Sequence, residues 1–153
     1  MNIILGASGQ VGSAITDFLL QKNLPVKGVI RDAEKADELE KRGAAVYIAD
    51  YTDLSSLKTA LNDGTTVFLL TPENVHSHDL LGDTKSMLEN YRLAVESSPI
   101  EKIVGLSSIG AQHATGTGNL QMSYMLEHAF AGLPVQQVFI RPAYYYSNWL
   151  AYL

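Results

Sequence analysis

The chain has 153 residues, 46% of them hydrophobic, which predicts a single domain with a substantial core. Its 16 acidic and 11 basic residues give a net charge of −5, and because no block of lysine and arginine is present, direct binding to nucleic acid is not expected. The absence of cysteine excludes disulfides and thiolate chemistry, and since no apolar run approaches the ~18 residues of a membrane span, the protein is expected to be cytoplasmic.

Hydrophobic runs and helical periodicity alternate along the chain. Residues 1–12 predict a buried strand, then a glycine turn and the start of a first helix. Further strands are predicted over residues 26–30, 44–49, 66–70, 103–106 and 135–140. Helices are predicted over residues 32–41, 54–61, 80–96, 120–131 and from about residue 144. Because parallel strands need helical crossovers, this alternation predicts an α/β fold, a doubly wound parallel sheet of six strands in one domain over residues 1–153.

Glycine recurs every three residues at the first strand-to-helix junction, at Gly6, Gly9 and Gly12. A chain at this place must turn tightly, admit a phosphate to its amides and pack the helix closely on the sheet, and each task disfavours a Cβ. This context favours a diphosphate-binding loop for a dinucleotide over an ordinary glycine-rich turn. The predicted contact residues are Gly6, Ser8, Gly9, Gln10, Val11 and Gly12.

The end of the predicted second strand carries residues that distinguish two related cofactors. An acidic residue about 20 positions beyond the glycine motif binds the ribose 2′-hydroxyl of NAD, whereas an arginine suits the 2′-phosphate of NADP. Both types are present, as Arg31 and Asp32. Lys35 lies one helical turn later, so two cations can converge on a phosphate while Asp32 caps the next helix. NADP(H) is therefore the preferred cofactor, with NAD(H) as the alternative; two solvated cations are the non-functional interpretation.

Two further strand ends carry candidate binding residues. Asp50 and Tyr51, after the third strand, could place a carboxylate and a ring beside adenine. The alternative is a polar cluster at a helix start, with Asp53 as the cap. Thr71 and Pro72 end the fourth strand, at the edge of the sheet where ligands of such folds bind.

Four segments resemble the NmrA-like group of atypical short-chain dehydrogenases/reductases, and most nearly its bacterial NADPH-dependent quinone oxidoreductases. These segments are residues 6–12, 29–32, 49–51 and 140–142, with Asn148 following. The resemblance extends over the whole chain and implies a Rossmann fold that binds NADP(H), with Arg31 and Lys35 toward the 2′-phosphate and Asp50 and Tyr51 near adenine. Because members of this group are considerably longer, the C-terminal substrate lobe is expected to be truncated here.

The same resemblance identifies candidate catalytic residues. Ser107 corresponds by position to the catalytic serine of the wider superfamily and could donate a hydrogen bond to a substrate oxygen; a polar strand terminus is the alternative. Where typical members have a Tyr-x-x-x-Lys pair, this chain has Tyr124 and His128. A histidine four residues along shares a helix face with the tyrosine, but a neutral imidazole lacks the fixed charge that would hold a phenolate. The alternative is a helix in which Tyr124 packs and His128 is solvated.

Histidine and aromatic clusters complete the list of candidate sites. His76 and His78 are near each other in sequence, but no third histidine follows at ligand spacing, so no metal site is predicted. The aromatic run over residues 144–146, with Trp149, could form the wall of a site for a flat substrate such as a quinone, or be core or an oligomer contact. The apolar residues 149–153 suggest either that the sequence is a piece of a longer one or that this end docks on a partner, for example in a homo-oligomer.

Two functional hypotheses follow. The first is an oxidoreductase that transfers a hydride from NAD(P)H to a small-molecule, quinone-like acceptor, for which the cofactor supplies the chemistry and the protein supplies orientation. The second is a non-catalytic NAD(P) sensor that acts through a protein partner, which the absent Tyr-Lys pair favours.

Overall fold

The computed structural model describes residues 1–73 and 76–152, without the side chains of residues 150–152. Six parallel strands form one sheet in the order β3-β2-β1-β4-β5-β6. The strands are β1 (Asn2–Leu5), β2 (Val26–Ile30), β3 (Ala45–Ile48), β4 (Thr66–Leu69), β5 (Lys102–Leu106) and β6 (Gln136–Ile140). The order reverses between β1 and β4, which confirms the predicted doubly wound parallel sheet.

Five α-helices are present in the described ranges. They are α1 (Gln10–Gln21), α2 (Ala36–Lys41), α3 (Leu54–Leu61), α4 (Leu80–Glu96) and α5 (Gln121–His128). Side-chain carboxylates define three helical starts: Asp32 accepts a hydrogen bond from the Glu34 amide, Asp53 from the Ser55 amide and Asp79 from the Gly82 amide. Each carboxylate satisfies an amide that the helix itself leaves without a partner.

Two predicted helices are shorter than expected because 3₁₀ geometry replaces part of their length, and a third is a 3₁₀ helix throughout. The segment predicted over residues 32–41 begins as a 3₁₀ turn over Ala33–Lys35, and α5 is preceded by another over Gly118–Leu120. The helix predicted from about residue 144 is a 3₁₀ segment over Tyr146–Tyr152, in which the Asn148 amide donates to the carbonyl of Tyr145. In each case hydrogen bonds between residues three apart replace the α-helical pattern.

The two faces of the sheet are covered by different helices. Side chains of α3, α4 and α5, including Leu57, Leu88 and Leu126, bury the larger core against one face. Side chains of α1 and α2, including Ile15 and Leu39, cover the other. Burial on both faces explains the nearly continuous apolar character of β1 and β4.

The α1/α2 side leaves the β6 edge open. Val138 and Ile140 of β6 are 40% and 52% exposed, and they lie opposite Val104 and Leu106 of β5, which belong to the α1/α2 face. The described part of the chain contains no helix that combines the length and apolar character needed to cross a membrane. The sequence predicts that residues 149–153 dock on a partner, and of these residues only the side chain of Trp149 is described.

Candidate functional site

The glycine turn between β1 and α1 leaves no room for a side chain at Gly12 and little room at Gly9. Gly6 has a φ of +68° and its amide donates to the carbonyl of Val29 at 3.0 Å. A Cβ on Gly12 would lie 2.2 Å from the carbonyl oxygen of Gly6, and a Cβ on Gly9 would lie 3.3 Å from the same atom. The first turn of α1 therefore rests directly on the backbone that follows β1.

The amino end of α1 presents free amides at this turn. Gly9 is the N-cap, and within the described residues no side chain caps the helix and no acidic residue occupies its first turn. The first helical hydrogen bond runs from the Ser13 amide to the Gly9 carbonyl at 2.8 Å, so the amides before Ser13 point out of the helix. Such amides, together with the helix dipole, attract an anion such as a phosphate.

A cleft of about 490 Å³ runs from this turn across the carboxyl ends of the first four strands. The predicted binding residues that line it are Gly6, Ser8, Gly9, Arg31, Tyr51 and Pro72. Gln10 and Val11 instead line an apolar groove on α1, where the Gln10 amide also donates to the Ser147 hydroxyl at 2.8 Å. Gly12 is buried beneath the turn. The structure thus places six of the predicted binding residues around one cavity.

Arg31 and Tyr51 lie together at one end of this cleft. The Nη1 atom of Arg31 donates to the Tyr51 hydroxyl at 3.3 Å, and the guanidinium carbon is 5.8 Å from the centre of the Tyr51 ring. The Nζ atom of Lys35 lies 4.0 Å from a carboxylate oxygen of Asp32, and Lys35 does not line the cleft in the described structure. One of the two predicted cations therefore reaches the cavity wall.

Asp50 is engaged in a local turn. Its Oδ1 atom accepts from both the amide and the hydroxyl of Thr52, each at 2.8 Å, and Asp50 is not among the described residues that line the cleft. The floor near it contains Tyr91, whose hydroxyl donates to the Leu70 carbonyl at 3.4 Å. Burial, and then the proximity of Tyr51 and Asp50, raise the pKa of Tyr91 well above its ordinary value, so this phenol stays neutral.

A second cleft, of about 260 Å³, continues the first along the carboxyl ends of β4 and β5. The two cavities share Leu70 and Glu73 in their walls. The second one is lined by Thr71, Ser107, Ser108, Ser123, Pro142 and Tyr145, among others. An extended ligand can therefore lie along this edge of the sheet, from Arg31 through the glycine turn to the serines.

Ser107 is connected to two side chains that the sequence did not identify as site residues. Its hydroxyl donates to Oε1 of Glu127 at 2.5 Å. Arg141 donates from Nε to the same oxygen at 2.8 Å and from Nη2 to Oε2 at 2.5 Å. The sequence contains one signal from which Glu127 could have been identified. Ser123 and Glu127 are four residues apart and therefore share a helix face, which places a carboxylate on the side of α5 that carries Ser123.

Tyr124 and His128 lie elsewhere on α5. Their rings stack with centroids 4.0 Å apart, and the Nδ1 atom of His128 is 2.7 Å from the Tyr124 carbonyl oxygen. His128 is exposed, and neither residue lines the two clefts in the described part of the chain. They lie one position, about 100° round the helix, from Ser123 and Glu127. The structure thus brings Ser107 to the candidate site without the predicted Tyr124 and His128.

The ion pair between Glu127 and Arg141 predicts a specific pH dependence of stability. Hydrogen bonds from Arg141, and a weaker contribution from Ser107, hold the pKa of the Glu127 carboxyl below its usual value, although burial acts in the opposite direction. The unfolded-state pKa is about 4.3, so this stabilisation is fully present above that pH and is lost as the pH falls through the lower folded-state value. The difference in unfolding free energy between the native protein and Glu127→Gln should therefore shrink below about pH 4.

Urea denaturation of both proteins, at neutral pH and across the acidic range, measures this difference. Glu89→Gln, which replaces an exposed glutamate of α4, is the matched control. If Glu127→Gln lowers the free energy of unfolding by the same amount at neutral and at acidic pH, the assigned ion pair is contradicted.

No group of three or more metal-ligating side chains occurs in residues 1–73 and 76–152. His76 lines the first cleft.

Comparison with known proteins gives a family for this geometry. A family described as NAD(P)H-binding matches residues 6–137. The NAD(P)H azoreductase of Xenophilus azovorans is 31% identical over 111 residues, which are 72% of this chain and 36% of that protein. The dihydroflavonol 4-reductase of Hordeum vulgare is 30% identical over 123 residues, with 71% of this chain and 35% of that protein covered. The chain thus spans about a third of the length of the curated relatives it matches.

Solved structures share the fold over nearly the whole chain. An NADPH-dependent quinone oxidoreductase from Escherichia coli is 25% identical with a TM-score of 0.78, covering 99% of this chain and 50% of that one. A Citrobacter sp. triphenylmethane reductase complexed with NADP(H) is 20% identical with a TM-score of 0.83, covering 97% of this chain and 51% of that one. These similarities confirm the resemblance inferred from the four sequence segments.

Proposed function

The chain belongs to the NAD(P)H-binding family, and we propose that it acts as a reductase that passes a hydride from NADPH to a quinone-like acceptor. The observation that carries this proposal is the continuous pair of clefts along the carboxyl edge of the sheet. Free helix amides lie at the glycine turn, Arg31 lies at one end and Ser107 at the other.

The first cleft fits the adenosine and diphosphate part of the cofactor. The amides at the start of α1 would hold the diphosphate, since no protein side chain in the described residues occupies them. Arg31 would bind the 2′-phosphate, which favours NADP(H) over NAD(H), and the Tyr51 ring would lie against adenine. Lys35 and Asp50 are proposed to assist from outside the cleft wall. The structure of the Citrobacter reductase with NADP(H) supports this choice of cofactor.

The second cleft fits the reacting part of the site. The bound dinucleotide would supply a hydride, and water would supply the one proton that completes a hydroquinone product. Tyr145 lines this cleft, and the rings of Tyr144 and Trp149 pack edge to face with centroids 5.8 Å apart. A flat conjugated molecule could therefore pack against aromatic side chains here. The relatives named for azo, quinone and triphenylmethane substrates all act on conjugated acceptors, which supports a substrate of this class.

A second function, NAD(P) sensing without turnover, is favoured by a different observation. The stacked Tyr124 and His128 lie outside both clefts, so the described residues bring no Tyr-Lys-like proton donor to the site. Tyr146 and Trp149 are 91% and 62% exposed and would offer a protein partner, or a second copy of the chain, an aromatic contact. In this case bound cofactor would alter the partner's affinity rather than react.

Turnover separates the two functions. With NADPH and a panel of quinones, we expect NADPH absorbance to fall with a turnover number on the order of 10 s⁻¹. Tyr124→Phe should leave this rate within about twofold, whereas loss of a general acid would lower it by about 100-fold or more. Calorimetric binding of NADPH without any quinone-dependent oxidation would reject the reductase and support the sensor. Absence of binding to both NADPH and NADH would reject both functions.

A further inference from the structure

The hydroxyl of Ser107 is held at the end of β5 by a buried acidic group. Ser107 is 5% exposed and the side chain of Glu127 is 9% exposed. The Ser107 Oγ and Glu127 Oε1 atoms are 2.5 Å apart, while Arg141 holds both carboxylate oxygens with its Nε and Nη2 atoms. The two-point contact with Arg141 fixes the plane of the carboxylate, and with it the direction in which Ser107 must point.

The charge state of this group determines which atom donates. An arginine guanidinium remains charged at all physiological pH values, and it also keeps the pKa of Glu127 low, so Glu127 is an anion. An ionised carboxylate can accept hydrogen bonds but cannot donate them. The single proton of the Ser107 hydroxyl is therefore committed to Glu127, and the Ser107 oxygen has lone pairs left for other contacts.

The neighbouring serine is in the same state. Ser108 donates its proton to the carbonyl of Ile109 at 3.1 Å, and both serines line the second cleft. A ligand carbonyl placed against Ser107 would set lone pair against lone pair, which leaves a buried acceptor unsatisfied. A ligand N–H or O–H at the same place would complete the hydrogen bond.

We propose that Glu127 is a positioning residue that makes Ser107 a hydrogen-bond acceptor toward the cleft, so that this position selects a ligand group carrying an N–H or O–H. The proposal rests on the proposed function, because it takes the second cleft as the reacting part of the site. It also reverses the donor role expected for Ser107 from the sequence. The donor group belongs either to the cofactor, as its carboxamide N–H, or to the substrate, as a hydroxyl.

Pairs of ligands in which a methyl group replaces the donor, either the amino group or the hydroxyl hydrogen, test this proposal on the full chain. The cofactor pair is NADP⁺ and its acetylpyridine analogue, in which a methyl ketone replaces the carboxamide; calorimetry gives the two dissociation constants. The substrate pair is a hydroxymethyl-substituted quinone and its methoxymethyl counterpart, compared by KM at saturating NADPH. We expect the native protein to prefer the donor by about tenfold in one of the two pairs.

Three variants assign that preference to its source. Ser107→Ala should reduce the ratio to about 1, and Glu127→Ala should do the same while leaving Ser107 in place, because it removes the acceptor and releases the Ser107 proton. Ser55→Ala removes an exposed hydroxyl of α3 that lines neither cleft and should keep the native ratio. Circular dichroism and thermal unfolding check that each variant is folded, and a ratio measured within one variant is insensitive to its stability.

The outcomes are distinct. Equal binding within both ligand pairs by the native protein, or a native ratio retained in Glu127→Ala, would overturn the role of Glu127 while leaving NADPH binding and turnover intact. Failure of the native protein to bind NADP⁺ and NADPH at all would overturn this proposal together with the proposed function. Preference in the cofactor pair alone identifies the carboxamide as the donor, and preference in the substrate pair alone identifies a substrate hydroxyl.

Discussion

The variant Gly12→Ala is expected to weaken NADPH binding by at least about 100-fold and to lower the free energy of unfolding by about 1–3 kcal/mol. The added Cβ would meet the Gly6 carbonyl oxygen at 2.2 Å, its carbon at 2.8 Å and the Ala7 Cα at 3.0 Å, all of which are backbone atoms that cannot rotate away. The start of α1 must therefore move off the turn. That movement displaces the amides proposed to hold the diphosphate, and anion binding at a helix start depends on their convergence.

Two other glycine replacements make the test specific. Gly9→Ala adds a Cβ at 3.3 Å from the Gly6 carbonyl oxygen, a contact that a small shift relieves, so its loss of affinity should lie between those of the native protein and Gly12→Ala. Gly116→Ala is placed in an open loop, where a φ of +79° costs backbone strain without any close contact. Its stability should fall by about 1–2 kcal/mol while its affinity for NADPH stays native.

Calorimetry with NADPH and urea denaturation of the three variants give the two quantities separately. If the Gly12→Ala variant is folded and binds NADPH with native affinity, the close packing of α1 on the turn does not align the binding amides. Equal losses of affinity in Gly12→Ala and Gly116→Ala would point to general destabilisation instead.

Local sequence signals predicted those parts of the fold that depend on local forces. The bounds of α3 and α4 agree with the sequence because Asp53 and Asp79 cap starts that apolar periodicity then continues. The glycine turn was predictable for the same reason. Gly6 provides a positive φ, and Gly9 and Gly12 allow the helix start to pack against the Gly6 carbonyl, so all three contacts lie within the turn itself. The early end of α5 was not predictable, because hydrogen bonds between residues three apart, from Ala129 to Leu126 and from Ala131 to His128, replace the α-helical pattern before the apolar pattern stops.

The reacting end of the site depends on contacts that no local pattern encodes. Glu127 meets Ser107 across 20 residues and Arg141 across 14, and this pairing exists only once β5, α5 and β6 have packed together. Tyr124 shares a spacing with known catalytic pairs, yet its direction on α5 is set by which helix face packs on the sheet. Motif spacing could therefore identify the cofactor-binding turn but could not orient the side chains opposite it.

Arg31→Ala is expected to reduce affinity for NADPH by about 10- to 100-fold while changing affinity for NADH by less than about threefold. Among the lysines and arginines of the described structure, Arg31 lines the first cleft. A guanidinium can bind a phosphate through two hydrogen bonds, and of the two cofactors only NADPH carries the 2′-phosphate. Lys35→Ala should have a smaller effect, because Nζ of Lys35 is directed toward Asp32 at 4.0 Å. Calorimetric dissociation constants for both cofactors, at one fixed salt concentration, provide the comparison.

Matched variants separate the geometry of Arg31 from its charge. Lys58→Ala makes the same change in net charge on an exposed face of α3 and should leave both affinities native. Arg31→Lys retains the charge without the two parallel N–H donors of the guanidinium, so part of the preference for NADPH should remain.

Tyr51→Phe removes the 3.3 Å hydrogen bond from Nη1 of Arg31 and should lower the affinity for NADPH a few-fold, because the guanidinium is then free to leave the cleft wall. If Arg31→Ala instead weakens NADPH and NADH by the same factor, Arg31 contacts a group that both cofactors share, and the selectivity for NADP(H) must come from another residue.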